Sequence, residues 1–304
     1  MYLKNMVCLS AGRVMHNIEV KSILSASNGM NIYRGCLHGC IYCDARSSCY
    51  QIHHTFEDIA VKYQAPELLE QALRRKRKKC MIGTGGMSDP YIPVEKELGL
   101  TRRCLELIDE YGYGLAIQTK SDLILRDLDL LKSINRKTKC VVQITMTTCD
   151  EALCHILEPN VCTTKRRFEV LKIMQEEGIP TVCWMTPILP FINDTKENIE
   201  GLLGYCIRAG VYGILQFGVG VTLREGDREY FYRKLDEHFP GMKQRYIKSF
   251  GNAYEIPSPD QQTLVEMISN ECRKHGIVYG AEKIFDYMRL FEDKGEGEQI
   301  SLSF

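Results

Sequence analysis

Three cysteines stand in one short stretch, NIYRGCLHGCIYCDAR at 31–46, and their positions are Cys36, Cys40 and Cys43. The C-x3-C-x2-C spacing lets three thiolates from a single loop converge on one inorganic centre, because Gly35 and Gly39 permit the tight backbone path that this requires. Iron–sulfur clusters are held by cysteine thiolates, and a four-iron cube takes four ligands. Three close cysteines without an evident fourth therefore predict a cube with one iron left open, as in metal sites that bind an exchangeable group.

A zinc site is the alternative for the same cysteines. Structural zinc usually takes four ligands from paired C-x2-C motifs or from cysteine and histidine together. His38 lies inside the loop and offers one such partner. The spacing, which lacks a second cysteine pair, favours the iron–sulfur interpretation.

The motif, with Tyr42 directly before its third cysteine, resembles the radical S-adenosylmethionine (SAM) superfamily. That resemblance implies a [4Fe–4S] cluster on Cys36, Cys40 and Cys43, whose open iron chelates the amino and carboxylate groups of SAM. Reductive cleavage of SAM then yields a 5′-deoxyadenosyl radical, which abstracts hydrogen from a substrate. The resemblance also implies a reducing electron donor of the flavodoxin or ferredoxin type, and it places Tyr42 near the adenine of SAM.

Composition agrees with an enzyme of a reducing cytoplasm. The chain has 304 residues, which single α/β barrels reach, and its 39 basic and 39 acidic residues leave no net charge to recruit nucleic acid or an anionic membrane. No secretory start and no apolar run of membrane-spanning length is present, so we expect no membrane association. The 14 cysteines therefore predict thiols and metal ligands rather than disulfides.

Short apolar segments alternate with amphipathic helical ones along most of the chain, which predicts a parallel sheet. The predicted strands lie at 29–34, 80–84, 114–119, 140–146, 181–186 and 213–219. Six strand–helix units are similar to the partial (β/α)6 TIM-type barrel of radical SAM enzymes, in which chemistry collects on loops after the strands.

The fold class predicted is thus α/β, a partial barrel with a C-terminal helical extension. We expect an N-terminal segment at 1–28, the barrel at 29–221, and a mostly helical extension at 222–304 that caps the open side of the barrel. Cys272 is the only cysteine of that extension, which argues against an auxiliary cluster there.

Further motifs follow the predicted strands: GTGGMSDPY at 83–91, QTKSDLILRDLDLL at 118–131, TMTT at 145–148, LEPNVCTTKRRFEVL at 157–171 and TPILPFIND at 186–194. In this order they resemble the spore photoproduct lyase-like group (SplB-type, DNA repair photolyase). The resemblance runs from about residue 29 to residue 219.

The resemblance implies SAM contacts in addition to Tyr42: Gly85, Gly86, Ser88, Asp89, Lys120, Thr145 and Arg166. Glycines let backbone N–H groups approach a ligand, and a guanidinium grips a carboxylate in a fork, a role open equally to Arg167. The alternatives are an ordinary turn at Asp89-Pro90, a solvated helix start at Arg166 and plain β-propensity at Thr145.

Two places depart from the lyase pattern. The lyase has a hydrogen-donating cysteine just before a T-S-D sequence, whereas the corresponding stretch of this chain, Gly86-Met87-Ser88-Asp89, holds no thiol. The lyase also has a tyrosine after the third cluster cysteine where this chain has Asp44. The cluster and SAM chemistry carry over in this comparison, but repair of a thymine dimer by that hydrogen relay does not. A different hydrogen donor or a different substrate is required.

Several other features have plainer explanations. The basic run RRKRKK at 74–79 suits a helix C-terminus as well as a nucleic acid. Cys149, Cys154 and Cys162 are interpreted as buried single thiols rather than as ligands of a second cluster. The pair His53-His54 lies in a loop without an acidic partner nearby in sequence.

The sequence therefore predicts a cytoplasmic radical SAM enzyme, with a nucleic acid base as the leading substrate. The first alternative is radical modification of a peptide or partner protein that docks on the helical extension. The second is a non-catalytic iron–sulfur or zinc-binding module.

Overall fold

The computed structural model of the protein describes residues 6–9 and 13–295. The outer ends of the predicted N-terminal segment and C-terminal extension lie outside these residues. Within them, thirteen strands are β1 Met6–Leu9, β2 Arg13–Asn17, β3 Gly29–Met30, β4 Tyr33–Arg34, β5 Ile59–Val61, β6 Met81–Thr84, β7 Gly114–Thr119, β8 Cys140–Thr145, β9 Thr181–Trp184, β10 Gly213–Leu215, β11 Gly220–Thr222, β12 Glu255–Pro257 and β13 Val278–Tyr279.

The α-helices of the same described ranges are α1 Ala65–Arg75, α2 Glu95–Leu98, α3 Leu100–Glu110, α4 Leu128–Lys137, α5 Glu151–Leu157, α6 Thr164–Glu176, α7 Lys196–Arg208, α8 Asp227–His238, α9 Met242–Phe250, α10 Gln261–Lys274 and α11 Ala281–Arg289. Short 3-10 helices lie at Asp44–Arg46, Ser48–Tyr50 and Asp122–Asp127.

The central sheet has seven strands in the order β13-β10-β9-β8-β7-β6-β3, and all neighbours pair in parallel. Its strands follow one another in space as they do in sequence, as expected when each is joined to the next by a helical crossover. The predicted α/β fold with a parallel sheet, consistent with a partial TIM-type barrel, is therefore confirmed.

Alternate residues of the sheet serve two separate cores. Ile82, Leu115 and Val142 belong to the main core, which includes the buried faces of the crossover helices. Their neighbours on the opposite face, such as Ala116 and Val141, pack in a second cluster. Side chains alternate across a strand, so near-continuous apolar runs such as CVVQIT are required where both faces are covered.

Helix α11 covers the second face. Ile284 and Met288 are buried in the same cluster as Ala116 and Val141, so this helix packs on the face of the sheet opposite the main core. Helix α10 instead packs against α7 on the outside. The extension thus closes the sheet and also extends it, since Gly213 of β10 pairs with Val278 of β13.

Two strand predictions are corrected by the structure. The predicted strand at 29–34 is split, because β3 pairs with β6 in the central sheet whereas β4 pairs with β5 in a separate four-stranded sheet of order β1-β2-β5-β4. The prediction also placed no strand before residue 29, at 59–61 or after 219, so it missed β1, β2, β5, β11, β12 and β13. Two- and three-residue strands carry too few positions for a periodic pattern to be read.

No helix in the described part of the chain is both long enough and apolar enough to cross a membrane.

Candidate radical SAM site

The cysteine loop begins directly after β4 and depends on two glycines. Gly35 has φ +87° and Gly39 has φ +73°, a region that side chains with a Cβ rarely adopt. A Cβ on Gly35 would lie 2.4 Å from the carbonyl oxygen of Phe56. That same carbonyl accepts a hydrogen bond from the N–H of Cys36 at 3.2 Å, so the loop at 55–58 supports the first cysteine from behind.

Residues 157–160 hold the other side of the cysteine loop. The N–H of Ile41 donates to the Leu157 carbonyl at 2.9 Å, and the N–H of Asn160 donates to the His38 carbonyl at 3.1 Å. The Asn160 side chain donates to the carbonyl of Leu37 at 2.9 Å. The loop is therefore fixed from two sides by backbone contacts that are independent of any bound group.

All three cysteines of the motif line one cavity of about 740 Å³, which we call the outer cavity. It lies at the carboxyl ends of the central strands, where α/β barrels place their chemistry. Among the described residues that line it, there is no fourth cysteine. Three thiolate ligands would thus leave one iron of a cube facing an open volume of ligand size.

The spread of the sulfurs argues against a single zinc ion. Among the described residues, the motif cysteines do not form a compact group of three or more ligand atoms that all lie within 4.8 Å of one another. Ligands of a tetrahedral zinc with Zn–S bonds of about 2.3 Å stand only about 3.8 Å apart. The motif is more open than a zinc site and fits a larger inorganic centre.

The thiols are also poised for a cationic partner. Burial, helped by the neighbouring Cys43 and Asp89, raises the pKa of Cys36 well above its ordinary value, and burial raises the pKa of Cys40 to about 12. Burial raises the pKa of Cys43 as well. Cys40 is buried and Cys36 and Cys43 are half-buried. Three adjacent thiolates in such a setting are not stable by themselves, so their ionised form requires positive charge at the centre of the loop.

Most of the predicted SAM contacts meet at this cavity. The predicted residues that line it are Tyr42, Gly85, Gly86, Ser88, Asp89, Lys120 and Thr145. They come from four segments of the chain, which the parallel sheet brings to one edge. Their contact with SAM stays a prediction.

Arg166 is not brought to the cavity. Its guanidinium pairs with Asp122 at 2.9 Å and with Glu169 at 2.8 Å on the half-exposed start of α6. Arg167 is fully buried and does not line the cavity either, because it pairs with Glu158 at 2.5 Å and donates to the Thr145 carbonyl at 2.9 Å. Neither guanidinium group is free to bind a SAM carboxylate in this arrangement.

Ser88 and Asp89 use their polar atoms inside the protein. The Ser88 hydroxyl donates to the Gly35 carbonyl at 2.7 Å. The Asp89 carboxylate accepts hydrogen bonds from the Thr119 hydroxyl at 2.7 Å and from the Lys120 N–H at 2.8 Å. Both side chains therefore tie the loop after β6 to the cysteine loop and to the end of β7, which positions the groups that remain free.

The free donors are of two kinds. The backbone N–H groups of Gly86 and Met87 find no acceptor among the described residues. The Nζ of Lys120 likewise has no hydrogen-bond acceptor among them, although the residue lines the cavity. Burial alone would lower the pKa of Lys120, but Cys40 and the carboxylates of Glu158 and Asp89 outweigh burial and raise it. Lys120 therefore stays protonated at the cavity wall, where its positive charge suits an anionic ligand group.

Sequence reasoning missed the carboxylate beneath the cysteine loop. Glu158 is fully buried, accepts a hydrogen bond from the Tyr42 hydroxyl and pairs with Arg167. Arg167 and Lys120 lower its pKa despite burial, so it stays ionised. Its only sequence signal was its place in LEPN, between a helix end and the arginine pair.

Sequence reasoning also missed the aromatic rim of the outer cavity. Phe217 is 60% exposed and Tyr254 is 45% exposed, and both line the cavity together with Trp184. Arg224 stands at the same rim and donates to the Tyr254 hydroxyl at 2.7 Å. Phe217 follows the predicted sixth strand, but Tyr254 lies in a connection between helices that carries no motif.

A second cavity of about 710 Å³, which we call the inner chamber, shares residues with the outer cavity, among them Gly86, Gln118 and Trp184. It is closed by Phe285 and Met288 of α11. Of the described residues that line it, Arg289 alone carries a full charge, and Cys80 is the one thiol. The two cavities meet at Trp184, whose indole N–H donates to the Gln143 side chain at 2.9 Å.

The basic run at 74–79 lies away from this site. It ends α1 and precedes β6, so it stands at the opposite edge of the sheet from the cysteine loop. Arg74 pairs with Glu70 at 2.6 Å, and the Lys76 ammonium donates to the Asn28 side chain at 2.5 Å. The run is explained by local contacts.

Comparison with known proteins decides the family. Residues 30–206 match the Radical SAM superfamily, a segment that covers more than half of the chain and includes the cysteine loop. The chain belongs to the radical SAM superfamily. The radical SAM resemblance read from the motif is thereby confirmed, and the protein is an enzyme of the radical SAM class, which removes the alternative of a non-catalytic module.

Relatives extend over most of the chain without naming a reaction. An uncharacterised protein of Mycobacterium tuberculosis is 26% identical over 284 residues, covering 89% of this chain and 80% of its own. An uncharacterised protein of Methanocaldococcus jannaschii is 34% identical over 184 residues, covering 60% of this chain and 68% of its own.

Solved structures of spore photoproduct lyase share the fold. A tyrosine-to-phenylalanine variant matches with a TM-score of 0.62 at 12% identity, covering 87% of this chain and 80% of that one. A double variant with bound AdoMet and dinucleoside spore photoproduct matches with a TM-score of 0.61 at 12% identity, covering 87% and 81%. Membership in the superfamily implies a [4Fe–4S] cluster, SAM and an external electron donor.

Proposed function

We propose that this enzyme binds a [4Fe–4S] cluster through Cys36, Cys40 and Cys43 and cleaves SAM reductively in the outer cavity. The observation that carries the proposal is one cavity wall that combines the three motif thiols with the cation of Lys120, with no fourth cysteine among the described lining residues. Thiolate ligands and an anion-binding group are the two requirements of a cluster that chelates SAM.

When bound and reduced, the cluster and SAM together supply a 5′-deoxyadenosyl radical that takes a hydrogen atom from the substrate. The protein's own residues hold the reactants. Lys120 offers its ammonium to the SAM carboxylate, and the free N–H groups of Gly86 and Met87 serve as donors beside it. Tyr42 lines the cavity with its hydroxyl tied to Glu158, which fixes the ring as a flat surface for the adenine.

A nucleic acid base is the substrate that we propose. Phe217 and Tyr254 are exposed aromatic side chains at the rim, and bases stack on such side chains with about 1–3 kcal/mol each. The fold neighbour whose structure holds a dinucleoside spore photoproduct supports the same class. The hydrogen relay must differ, because the stretch Gly86-Met87-Ser88-Asp89 holds no thiol where the lyase has its hydrogen-donating cysteine.

The cofactor proposal is tested by anaerobic reconstitution, reduction with dithionite and assay of 5′-deoxyadenosine from SAM. We expect the wild type to form the product and the triple variant Cys36→Ala, Cys40→Ala, Cys43→Ala to form none. Cys49→Ala is the matched control, since Cys49 is exposed and lies outside both cavity walls. A reduced cluster that leaves SAM intact would contradict the proposal.

The substrate proposal is tested separately by titrating single-stranded oligonucleotides into the reconstituted enzyme at several salt concentrations. We expect Phe217→Ala with Tyr254→Ala to weaken binding by about tenfold or more. Leu290→Ala is the control, because Leu290 is 59% exposed but lines neither cavity. Equal binding by all variants, with deoxyadenosine formation unchanged by the oligonucleotide, would turn the search to peptides.

A further inference from the structure

A histidine–histidine–aspartate group lies outside both cavities. His16 belongs to β2, whereas His54 and Asp58 belong to the loop that leads into β5. The parallel pairing of β2 with β5, which sets His16 opposite Ala60, brings the three together. One potential ligand atom from each residue lies within 4.8 Å of the others, and within the described part of the chain this is the one such group.

The ring of His54 is oriented as a metal ligand requires. The Nδ1 of His54 lies 3.0 Å from the carbonyl oxygen of Thr55. A carbonyl only accepts, so Nδ1 carries the hydrogen and the lone pair is left on Nε2. Metal-bound histidines usually donate their other N–H to a carbonyl or carboxylate in this way, which fixes the ring. The His16 and His54 rings stand edge to face with centroids 4.9 Å apart.

The aspartate lacks a permanent cation. Its Oδ1 lies 3.0 Å from the Nδ1 of His16, and no lysine or arginine pairs with Asp58 among the described residues. Arg46 instead pairs with Glu57, the residue directly before Asp58. The side chains of His16 and Asp58 are 26% and 24% exposed, so the group is partly shielded and still open to an entering ion.

We propose that His16, His54 and Asp58 bind a divalent transition-metal ion, with zinc as the best match. Two imidazoles and one carboxylate form a three-ligand zinc set that leaves a fourth position for water. Imidazole suits zinc far better than it suits magnesium or calcium, which prefer oxygen ligands.

The position of the site indicates what the ion would do. Since none of the three residues lines either cavity, the ion does not meet the substrate there. Residues 54–58 instead lie behind the cysteine loop, where the Phe56 carbonyl accepts the N–H of Cys36 and closely approaches Gly35. A metal bridging β2 to this loop would anchor the support of the first cluster cysteine.

The test uses full-length protein with the three motif cysteines changed to alanine, so that thiolates do not compete for the metal. Zinc retained after dialysis is measured, and Co²⁺ is added as a spectroscopic probe. We expect about one zinc per chain and a cobalt spectrum without thiolate charge transfer. His53→Ala is the matched control, because His53 is the exposed neighbour of His54.

His16→Ala, His54→Ala and Asp58→Asn should each lower zinc affinity at least about tenfold, and zinc should raise the unfolding temperature of the control but not of these variants. Retention of less than about a tenth of an equivalent, or equal loss in His53→Ala, would overturn the proposal and leave an ion pair. Far-ultraviolet circular dichroism identifies any variant that fails to fold. The cobalt titration of folded control protein then decides the question alone.

Discussion

The outer cavity is lined by charged and polar side chains that are hydrogen-bonded to one another, whereas the inner chamber is lined mainly by methionines, aromatic rings and amides. In the first, the Asp89 carboxylate accepts hydrogen bonds from Thr119 and Lys120, and the Tyr42 hydroxyl donates to the buried Glu158 beneath the cavity wall. In the second, Arg289 is the one fully charged residue among those described. The difference indicates that the polar groups of the outer cavity are preorganised to bind one ionic ligand. The inner chamber instead selects a ligand by its shape.

The largest expected effect is a loss of stability that distinguishes the adjacent residues Arg166 and Arg167. Arg167→Ala leaves the Glu158 carboxylate buried without its partner, and breaking such a pair costs about 3–5 kcal/mol in free energy of unfolding. Arg166→Ala removes only half-exposed pairs, which contribute about 0–1 kcal/mol. Urea denaturation of the cluster-free protein measures both. Equal losses would mean that the outer network is not preorganised as the structure indicates.

The next largest effect is the loss of stability and SAM affinity expected when a side chain is added to Gly85. Gly85 has φ +99°, and a Cβ there would lie 2.1 Å from the Gln118 carbonyl oxygen. Gly85→Ala should therefore cost about 1–3 kcal/mol from backbone strain alone and should weaken SAM binding. Gly83→Ala is the control, since a Cβ on Gly83 meets nothing within 4 Å. A Gly85→Ala protein with unchanged stability and SAM affinity would contradict a close approach of this loop to β7.

Sequence predicted the outer cavity far better than the inner chamber, for a physical reason. The cysteine loop and the glycine loop are local motifs, and parallel strands must bring their ends to one edge of the sheet. The inner chamber takes single residues from many strands and is closed by α11, a helix nearly 300 residues along the chain from the start. No local pattern records such an assembly.

The failures at single residues have the same origin. Arg166 and Arg167 differ by one position, and one residue of helix rotation, about 100°, decides which of them turns inward. A basic pair at a predicted helix start does not specify that rotation. Likewise, sequence reasoning assigned no acidic partner to His53-His54, although Asp58 lies shortly after them in the same loop, and it could not foresee that the β2–β5 register adds His16 from another element.

Filling each cavity in turn tests whether the two differ in ligand. Thr145 lines the outer cavity and Ala116 lines the inner chamber. We expect Thr145→Phe to lower SAM affinity by about tenfold or more, or about 1.4 kcal/mol, because the ring occupies the proposed SAM volume. Ala116→Phe should leave SAM affinity within about twofold. Calorimetric titration of SAM into reconstituted enzyme makes the comparison, and a reversed order would exchange the two assignments.

The smallest expected effect is a pH dependence of stability that comes from the Asp227 carboxylate. Burial, with Asp44 nearby, raises the pKa of Asp227 to about 6, and its Oδ2 is buried without a partner. The folded protein therefore binds the proton more tightly than the unfolded chain, whose aspartate pKa is about 3.9. The resulting stabilisation is complete below about pH 4 and is lost as the pH rises through about 6.

Asp227→Asn removes this dependence, whereas Glu158 has the opposite sign because Arg167 and Lys120 lower its pKa. The Asn variant should gain about 1–2 kcal/mol over the wild type at pH 7 and almost nothing at pH 4, as measured by urea midpoints across that range. Asp236→Asn, at an exposed pair with Lys243, should give a flat difference. A flat difference for Asp227→Asn as well would mean that water or Arg228 already compensates its charge, so that the fixed network extends farther from the cysteine loop than Glu158 and Asp89.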